Sequence, residues 1–267
     1  MTLKQKFQNL LFPLHSIQKI RLGYLKGHKI RLSENSLWSP LIGNWEPSIQ
    51  KIMVNIVKTG DVAYDLGANN GLHGLLLSLL VGKNGFVYNF EPFEENVLEI
   101  IENFELNGLT NYKNIVAAIS DFNGNAKFEI ASHFKQGKLT NVVHNSNFLN
   151  VEVKSLDELI NSGIQLPKFI KMDIEGAEGK ALNGFTKNIE KCFPDMIIEL
   201  HSPEQDIEVG KFLKFYNYTA FRFDPFKKLK FTEIKNFDRP FPYEDGIWGS
   251  LLCLGPKKII KSLSFNK

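Results

Sequence analysis

The chain has 267 residues, of which 43% are hydrophobic and 23% charged. This length and balance are typical of one large globular domain with a full core. The formal net charge of +3 is too small to favour nucleic-acid binding. Cys192 and Cys253 lie in apolar surroundings without metal-ligand spacing, which predicts buried free thiols in a reducing compartment. We expect neither a signal peptide nor a transmembrane segment, and we therefore predict a cytoplasmic protein.

Residues 1–50 are predicted to form an N-terminal extension, followed by the main domain at 51–260 and a tail at 261–267. Near the start of the chain, five apolar side chains recur at helical spacing, with lysines off that face. They are Phe7, Leu10, Leu11, Leu14 and Ile17. We interpret this segment as a helix that packs on the domain or on the second subunit of a homodimer. The alternative is a weak contact of a basic amphipathic segment with a membrane surface.

A glycine-rich turn lies between an apolar strand, predicted at residues 62–66, and an apolar helix, predicted at 72–81. Glycines allow backbone angles that other residues disfavour, and they let a ligand approach the main chain. The N-terminus of the following helix offers free N–H groups. Strand, glycine turn and helix together predict the first unit of a nucleotide-binding α/β fold. The cofactor-binding residues predicted in this unit are Asp65, Gly67, Ala68, Asn69 and Gly71.

Asp65 indicates which cofactor this turn binds. A carboxylate at the end of the strand repels a pyrophosphate but suits a ligand with positive charge. Asn69 also replaces the middle glycine of the dinucleotide pattern G-x-G-x-x-G. S-adenosylmethionine is a nucleotide cofactor with a cationic sulfonium and ammonium, so we favour it. An NAD(P)-dependent oxidoreductase or epimerase on a Rossmann fold stays open as the alternative.

After the turn, strands and helices alternate as in a mostly parallel α/β sheet. Four further parallel strands are predicted at residues 85–90, 115–119, 168–172 and 195–200, and two last strands at 218–223 and 247–254. Helices are predicted at 49–57, at 93–106 and from Pro203 to about residue 215.

A β insertion is predicted after the third strand, because residues 126–130 alternate in polarity. Residues 131–150 are polar and are interpreted as a mobile loop or lid. Ser155 and Glu158 have the spacing of a capping box, which predicts a helix that runs to about residue 160.

Acidic or polar side chains follow each of the first five predicted strands. Parallel strands end at the same edge of a sheet, so these side chains are expected to surround one ligand site. Glu91, which is followed by Pro92, lies about 20 residues beyond the glycine turn, where a carboxylate can accept ribose hydroxyl protons. Ser120 and Asp121 follow the third strand, where a carboxylate can accept a hydrogen bond from the amino group of adenine. The alternative for Asp121 is the opening of a turn.

The fourth and fifth strands end in the predicted catalytic residues, Asp173, Glu175 and His201. His201 could act as a general base near neutral pH, or it could cap the helix that begins at Pro203. Glu175 and the neighbouring Glu178 are also expected in the first turn of the next helix, where the helix dipole favours acids. Of the acids Asp173, Glu175 and Glu178, Asp173 is therefore the best placed for function.

The motifs named above belong to seven segments that occur in order between residues 45 and 201. They are residues 65–71 (DLGANNG), 90–92 (FEP), 107–111 (NGLTN), 118–121 (AISD), 155–159 (SLDEL), 170–178 (IKMDIEGAE) and 198–201 (IELH). In these segments the chain resembles the FkbM-type methyltransferases. The resemblance implies a class I, Rossmann-like fold with a final antiparallel strand. Together with the predicted elements, it gives a mostly parallel seven-stranded sheet with helices on both faces.

The same resemblance implies S-adenosylmethionine-dependent methyl transfer, most often to a hydroxyl oxygen. The acceptors of this family are hydroxyls of polyketides, sugars and other secondary metabolites or glycans. We therefore expect a small-molecule or glycan acceptor. The residues that determine its identity are expected in 1–45, in 131–150 and after residue 201, where the resemblance is weak or absent. A non-catalytic, cofactor-binding relative is the alternative.

Methyl transfer to a hydroxyl requires removal of its proton or stabilisation of the alkoxide. We favour a metal-free site in which His201 or Asp173 is the general base. The alternative is Mg²⁺ held through oxygen ligands by Asp173, Glu175 and Glu199.

Overall fold

The computed structural model of the protein describes residues 15–32, 45–130, 137–139, 148–238 and 249–256, together with Pro13 and Gly43. Its strands are β1 (Ile17–Lys19), β2 (Lys29–Arg31), β3 (Val62–Leu66), β4 (Phe86–Phe90), β5 (Tyr112–Ile115), β6 (Ala118–Ile119), β7 (Gly124–Ile130), β8 (Gly137–Leu139), β9 (Phe148–Lys154), β10 (Phe169–Met172), β11 (Asp195–Leu200), β12 (Thr219–Phe223), β13 (Thr232–Glu233) and β14 (Gly249–Leu254). Its helices are α1 (Pro47–Ile56), α2 (Leu72–Val81), α3 (Glu94–Glu105), α4 (Leu156–Asn161), α5 (Glu178–Asn183), α6 (Ile189–Cys192) and α7 (Pro203–Phe215).

The central sheet of the described residues has the order β13-β12-β14-β11-β10-β3-β4-β5. The strands from β11 to β5 in this order run parallel, and β14 is antiparallel to both β11 and β12. The direction of chain progression reverses beside β3, which has β4 on one side and β10 on the other. Ligands bind outside the carboxyl ends of the strands at such a switch point.

Alternating apolar side chains attach helices to both faces of the sheet. In β10, Ile170 and Met172 belong to the core that contains α4, α5, α6 and α7. Phe169 belongs instead to the core that contains α1, α2 and α3. Successive side chains of a strand point to opposite faces, so an apolar strand serves both cores at once. Burying each such side chain contributes about 1.5–3 kcal/mol.

A smaller sheet, of order β6-β9-β7-β8, lies where the sequence predicts a β insertion. In it β6 is parallel to β9, whereas β7 is antiparallel to both β9 and β8. Its apolar side packs on Phe93, the residue just before α3, through Ala118, Phe128, Val151 and Val153. The insertion is thereby brought against the carboxyl edge of the central sheet.

The N-terminal extension contributes a hairpin, β1 and β2, that packs against α3. The backbone N–H groups of Lys29 and Arg31 donate to the side-chain oxygens of Asn107 and Asn103, at 2.9 and 2.8 Å. Ile17 therefore lies in a strand, and its predicted place in an amphipathic helix is wrong, because pairing with β2 determines the backbone there. The other apolar positions of that helix lie outside the described residues.

The predicted bounds match the structure for β3, β11, α2 and α7. The third parallel strand, β5, ends at Ile115 and not at residue 119, because Ala118 and Ile119 pair with β9 of the insertion. The central sheet has an eighth strand beyond the seven predicted, because Thr232 and Glu233 pair with β12. Of the loop predicted at 131–150, the described parts belong to β8 and β9.

The predicted boundary at residue 50 falls inside α1, and the division into extension, domain and tail stays a prediction. None of the helices in the described part of the chain is long and apolar enough to cross a membrane.

Candidate active site

Close packing of strand ends shapes the turn after β3. Gly67 has a φ of 76°, and a Cβ at this position would collide with the carbonyl oxygen of Asp173. Only glycine therefore fits between the ends of β3 and β10. The N–H groups of Gly67 and Ala68 both donate to the carbonyl oxygen of Phe90, at 3.0 and 3.1 Å. Gly71, with a φ of 80°, starts α2 and faces α3 so closely that a side chain would press on it.

A cavity opens beyond the carboxyl ends of β3, β4 and β10, with about 610 Å³ of empty space that includes its solvent-open mouth. It brings together predicted site residues from three segments of the chain. Those that line it are Gly67, Asn69, Glu91, Pro92, Asp173 and Glu175. The rest of the wall is mainly apolar and comes from the start of α3, from residues 117–119 and from the insertion.

Glu91 is held in place at the end of β4. Its Oε2 accepts from the Asn69 N–H at 2.9 Å, and its Oε1 accepts from the Phe93 N–H at 3.2 Å and from Asn96 Nδ2 at 3.0 Å. Burial raises the pKa of Glu91 to about 7, although the three donors act in the opposite direction. The carboxyl group thus faces the cavity beside the glycine turn, where it can accept the hydroxyl protons of a ribose.

Asn69 offers an unused acceptor at the cavity wall. Its backbone has a φ of 49°, and its side-chain Oδ1 is buried without a hydrogen-bond partner among the described residues. Such an oxygen costs free energy unless a ligand or a water satisfies it. Nearby, the rings of Phe93 and Phe128 meet edge to face, with centroids 5.1 Å apart. An acceptor, a ribose-binding carboxyl group and an aromatic wall together fit a nucleoside.

Asp65 does not line the cavity. It is fully buried, and its Oδ1 lies 3.5 Å from Nζ of Lys171, its register partner on β10. Lys171 Nζ also donates to the carbonyl oxygen of Gly67 at 3.2 Å and lies 3.6 Å from Asp173 Oδ2. Burial alone would lower the pKa of Lys171, but Asp65 and Asp173 raise it above its ordinary value. The cation beside Asp65 in this structure is therefore Lys171, and the contact of Asp65 with a cationic cofactor stays a prediction.

Asp173 and Glu175 line one end of the cavity and contact His201, which lies behind them and does not line it. His201 Nε2 lies 3.3 Å from Asp173 Oδ1 and 3.5 Å from Glu175 Oε2. Its Nδ1 donates to Oε1 of the fully buried Glu178 at 2.8 Å. Glu178 begins α5, whereas Glu175 precedes this helix with a φ of 53°. The predicted location in the first helical turn is therefore correct for Glu178 and wrong for Glu175.

The surrounding carboxylates determine the charge of His201. Burial alone would lower its pKa, but the hydrogen bond to Glu178 and the charges of Asp173, Glu178 and Glu175 raise it to about 9. At neutral pH the ring therefore holds both protons, with Nδ1–H on Glu178 and Nε2–H toward the cavity-lining acids. Burial also raises the pKa of Glu175. Together with the charge of Asp173, it raises the pKa of Glu199 to about 7.

The same cluster has the composition of a cation site. Asp173, Glu175 and His201 each offer one ligand atom, and these atoms lie within 4.8 Å of one another. Two carboxylate oxygens and one imidazole nitrogen suit a transition metal better than Mg²⁺, which prefers oxygen ligands. Glu199, which completes the set predicted for Mg²⁺, is not part of this group.

Ser120 and Asp121 lie outside the cavity wall. Ser120 is fully buried and its Oγ donates to Asp121 Oδ1 at 3.2 Å, whereas Asp121 itself is exposed. The wall position expected for them is taken by residues 117–119, because β5 ends at Ile115. The contact of Asp121 with adenine stays a prediction. Ala68 and Gly71 likewise shape the turn without lining the cavity.

Sequence reasoning missed Lys171, the aromatic wall and Glu46. Lys171 has a recognisable signal, because a charged residue inside an otherwise apolar parallel strand needs a buried partner. Phe93 and Phe128 have none, since an aromatic residue is most often core. Glu46 precedes the first strand of the central sheet and matches no motif.

The strand order and the cavity at the switch point define a class I methyltransferase fold. Residues 65–223 match the methyltransferase FkbM domain, and the chain belongs to the FkbM methyltransferase family.

A relative and two solved structures illustrate the similarity. The chain is 24% identical over 202 residues to the hexuronic acid methyltransferase AglP of Haloferax volcanii, with 74% of this chain and 81% of that protein covered. A candidate rRNA methylase from Clostridium thermocellum has a TM-score of 0.50 at 15% identity, with 80% of this chain and 96% of that chain covered. An FkbM methyltransferase from Methylobacillus flagellatus has a TM-score of 0.45 at 16% identity, with 76% and 50% covered. The likeness to the Clostridium protein supports the fold alone.

Proposed function

We propose that this protein is an S-adenosylmethionine-dependent O-methyltransferase that acts on a hydroxyl group of a sugar or glycan, or of a secondary metabolite. Membership of the FkbM family supports methyl transfer. The name of the Haloferax relative, a hexuronic acid methyltransferase, supports a sugar acceptor.

One observation carries the proposal: the cavity whose wall fits a nucleoside is also lined by Asp173 and Glu175, which contact His201. Glu91, Asn69 and the Phe93 ring lie on the side of β4, and Asp173 and Glu175 lie on the side of β10. S-adenosylmethionine, when bound, supplies an activated methyl group on a positively charged sulfur. The described lining contains no lysine, arginine or histidine, so its charge favours such a cation.

In the proposed mechanism, His201 Nε2 accepts the proton of the acceptor hydroxyl as the methyl group is transferred. Glu178 holds the ring by its hydrogen bond to Nδ1, in the same way that a third group orients the base in nucleophile–base pairs. Asp173 and Glu175 lie between His201 and the cavity and would orient the hydroxyl. His201 must first lose its Nε2 proton, and its pKa of about 9 means that this is incomplete at neutral pH.

Cofactor binding is tested first, by calorimetric titration with S-adenosylmethionine and with NAD⁺ as the control ligand. We expect binding of S-adenosylmethionine alone. Glu91→Ala should weaken it at least about tenfold, because the ribose contact is lost. Glu94→Ala, which removes an exposed acid three residues further on, should leave it unchanged. A preference for NAD⁺ would contradict the proposed cofactor.

Proton transfer is tested by methyl transfer to a panel of glycosides as a function of pH. With His201 as the base, kcat should rise with pH toward about 9. His201→Gln should lower it by about 10²–10⁴-fold. Loss of activity in EDTA with recovery on adding Mg²⁺ or Mn²⁺ would instead establish the metal-dependent alternative at Asp173, Glu175 and His201.

A further inference from the structure

Glu46 is a buried acid that lies outside the matched family domain. It directly precedes α1 with a φ of 43°, its side chain makes no capping hydrogen bond, and only 6% of it is exposed. The segment that carries it is fixed from the other end of the chain. The N–H and Oγ of Ser48 donate to the carbonyl oxygens of Pro225 and Lys227, at 3.1 and 2.7 Å. A buried glutamate of this kind requires a partner.

His73 is that partner. It lies in the first turn of α2, and its Nε2 is 3.3 Å from Glu46 Oε2, with both side chains 7% exposed. His73 lies two residues after Gly71, so it is directly continuous with the glycine turn. The contact therefore joins the N-terminal segment to the turn that carries Asn69 and borders the cavity.

Charged groups from each neighbouring element influence this pair. They are Asp65 of β3, Lys171 of β10, Asp173 after β10 and Glu199 of β11. Burial, followed by Glu199 and Asp173, raises the pKa of Glu46 to about 8. Burial, followed by Lys171, lowers the pKa of His73 to about 3. At neutral pH both side chains are therefore uncharged.

We propose that Glu46 is a positioning residue of the methyltransferase site, whose protonated carboxyl group donates a hydrogen bond to His73 Nε2 and so holds the glycine turn in its binding conformation. This inference rests on the proposed function in using S-adenosylmethionine as the probe. Ionisation of Glu46 removes the donor and adds a buried negative charge near Asp65 and Asp173. The turn is then released, and cofactor affinity falls as the pH rises through about 8.

The test compares wild-type protein with Glu46→Gln and Glu46→Ala by calorimetric titration with S-adenosylmethionine at pH 7 and pH 9. Glutamine keeps a donor at the same place and cannot ionise. We expect it to bind like wild type at pH 7 and, unlike wild type, to keep its affinity at pH 9. Alanine leaves His73 Nε2 without a donor and should raise Kd about tenfold at pH 7. Asn55→Ala, an exposed change on α1, should have no effect.

The tautomer of His73 gives a readout that needs no cofactor. ¹⁵N NMR should show a neutral ring with the proton on Nδ1 between pH 5 and pH 8, in wild type and in Glu46→Gln. A proton on Nε2 would overturn the contact. Equal loss of affinity in Glu46→Gln and Glu46→Ala, or the same pH dependence in wild type and Glu46→Gln, would overturn the positioning role. A wild-type protein that binds no S-adenosylmethionine contradicts the proposed function, and the NMR result then decides on Glu46 separately.

Discussion

Gly67 determines how closely β3 and β10 approach each other at the floor of the cavity. Its missing side chain leaves room for the carbonyl oxygen of Asp173, and its own carbonyl oxygen accepts from Lys171 Nζ. The lysine in turn contacts Asp65 and Asp173. One glycine therefore lets a buried cation hold both the turn and a predicted catalytic acid.

Replacing Gly67 by alanine should damage stability and cofactor binding together. A left-handed backbone costs a non-glycine residue about 1–2 kcal/mol, and forcing a Cβ against Asp173 adds about 1–3 kcal/mol of overpacking. Gly60→Ala is the matched control, because Gly60 has a φ of 90° but a Cβ there would meet no described atom within 4 Å. Urea unfolding should show a cost of about 1–2 kcal/mol for the control and clearly more for Gly67→Ala. Equal losses in the two variants would refute the close-packing argument.

At this scale, the sequence predicts which residues lie at the strand ends better than it predicts what they contact. Glu91, Asp173 and Glu175 line the cavity as expected from their positions after parallel strands. Asp65 comes from an equivalent position but faces Lys171, which is 106 residues away in the chain and adjacent only through the register of β3 and β10. Spacing cannot reveal such a pairing, because it arises from the order of strands in the sheet.

At the scale of elements, α4 shows how a short helix is fixed by contacts from other segments. Ser155 Oγ accepts from the Glu158 N–H at 3.2 Å, as the predicted capping box requires. The Ser155 N–H, however, donates to Asn123 Oδ1 at 2.9 Å, so the second half of the box is supplied by the turn before β7. At the same end of α4, Asp157 accepts from the N–H groups of Lys187 and Asn188, at 2.9 and 3.0 Å.

Removing the Asp157 carboxylate should therefore release α4 from the segment before α6. Asp157→Ala leaves two backbone donors and the Asn188 amide without their acceptor, and each unsatisfied buried group costs about 1–3 kcal/mol. We expect the free energy of unfolding to fall by about 2–4 kcal/mol. Glu158→Ala, which removes the adjacent exposed acid, should change it by less than about 0.5 kcal/mol. Chemical denaturation of both variants measures the difference.

The elements that the sequence predicts well are those with a strong local signal. α2 is mostly apolar and begins after glycine, and α7 begins with proline at its first position. The end of β5 is missed because residues 115–119 form one apolar run, of which Ala118 and Ile119 pair in the other sheet. β13 is missed because two residues carry no periodicity. Partner choice between sheets is a tertiary property and leaves no local pattern.

At the scale of the whole molecule, the buried polar region is assembled from both ends of the described chain. Glu46 arrives on a segment anchored to residues 225–227, and Glu199 pairs in register with Ser250 of β14. The cost of burying so many acids is reduced when some of them stay protonated. The free energy of unfolding should therefore depend on pH in a way that identifies these groups.

The direction in which the free energy of unfolding changes with pH follows from the folded-state pKa values. The pKa of Glu46 is raised to about 8, the pKa values of Glu91 and Glu199 to about 7, and the pKa of His201 to about 9. A group with a raised folded-state pKa contributes stability below its unfolded pKa, and this contribution is lost as the pH rises through the folded-state value. His73, which is lowered to about 3, acts in the opposite direction, but its contribution is already complete above pH 6.5. Between pH 6.5 and 9 these groups therefore all act in one direction.

The free energy of unfolding should fall across this window in the absence of ligand. Glu46 alone accounts for about 2 kcal/mol, at 1.36 kcal/mol for each pKa unit between pH 6.5 and its value near 8. Urea unfolding at pH 6.5, 7.5 and 9 measures the slope, and Glu46→Gln should flatten it because its amide cannot ionise. A free energy that stays constant or rises over this range would show that these acids are already ionised in the folded protein. In that case Lys171 and His201 would have to balance Asp65, Asp173, Glu46 and Glu199 together, and the proposed neutral contact between Glu46 and His73 could not exist.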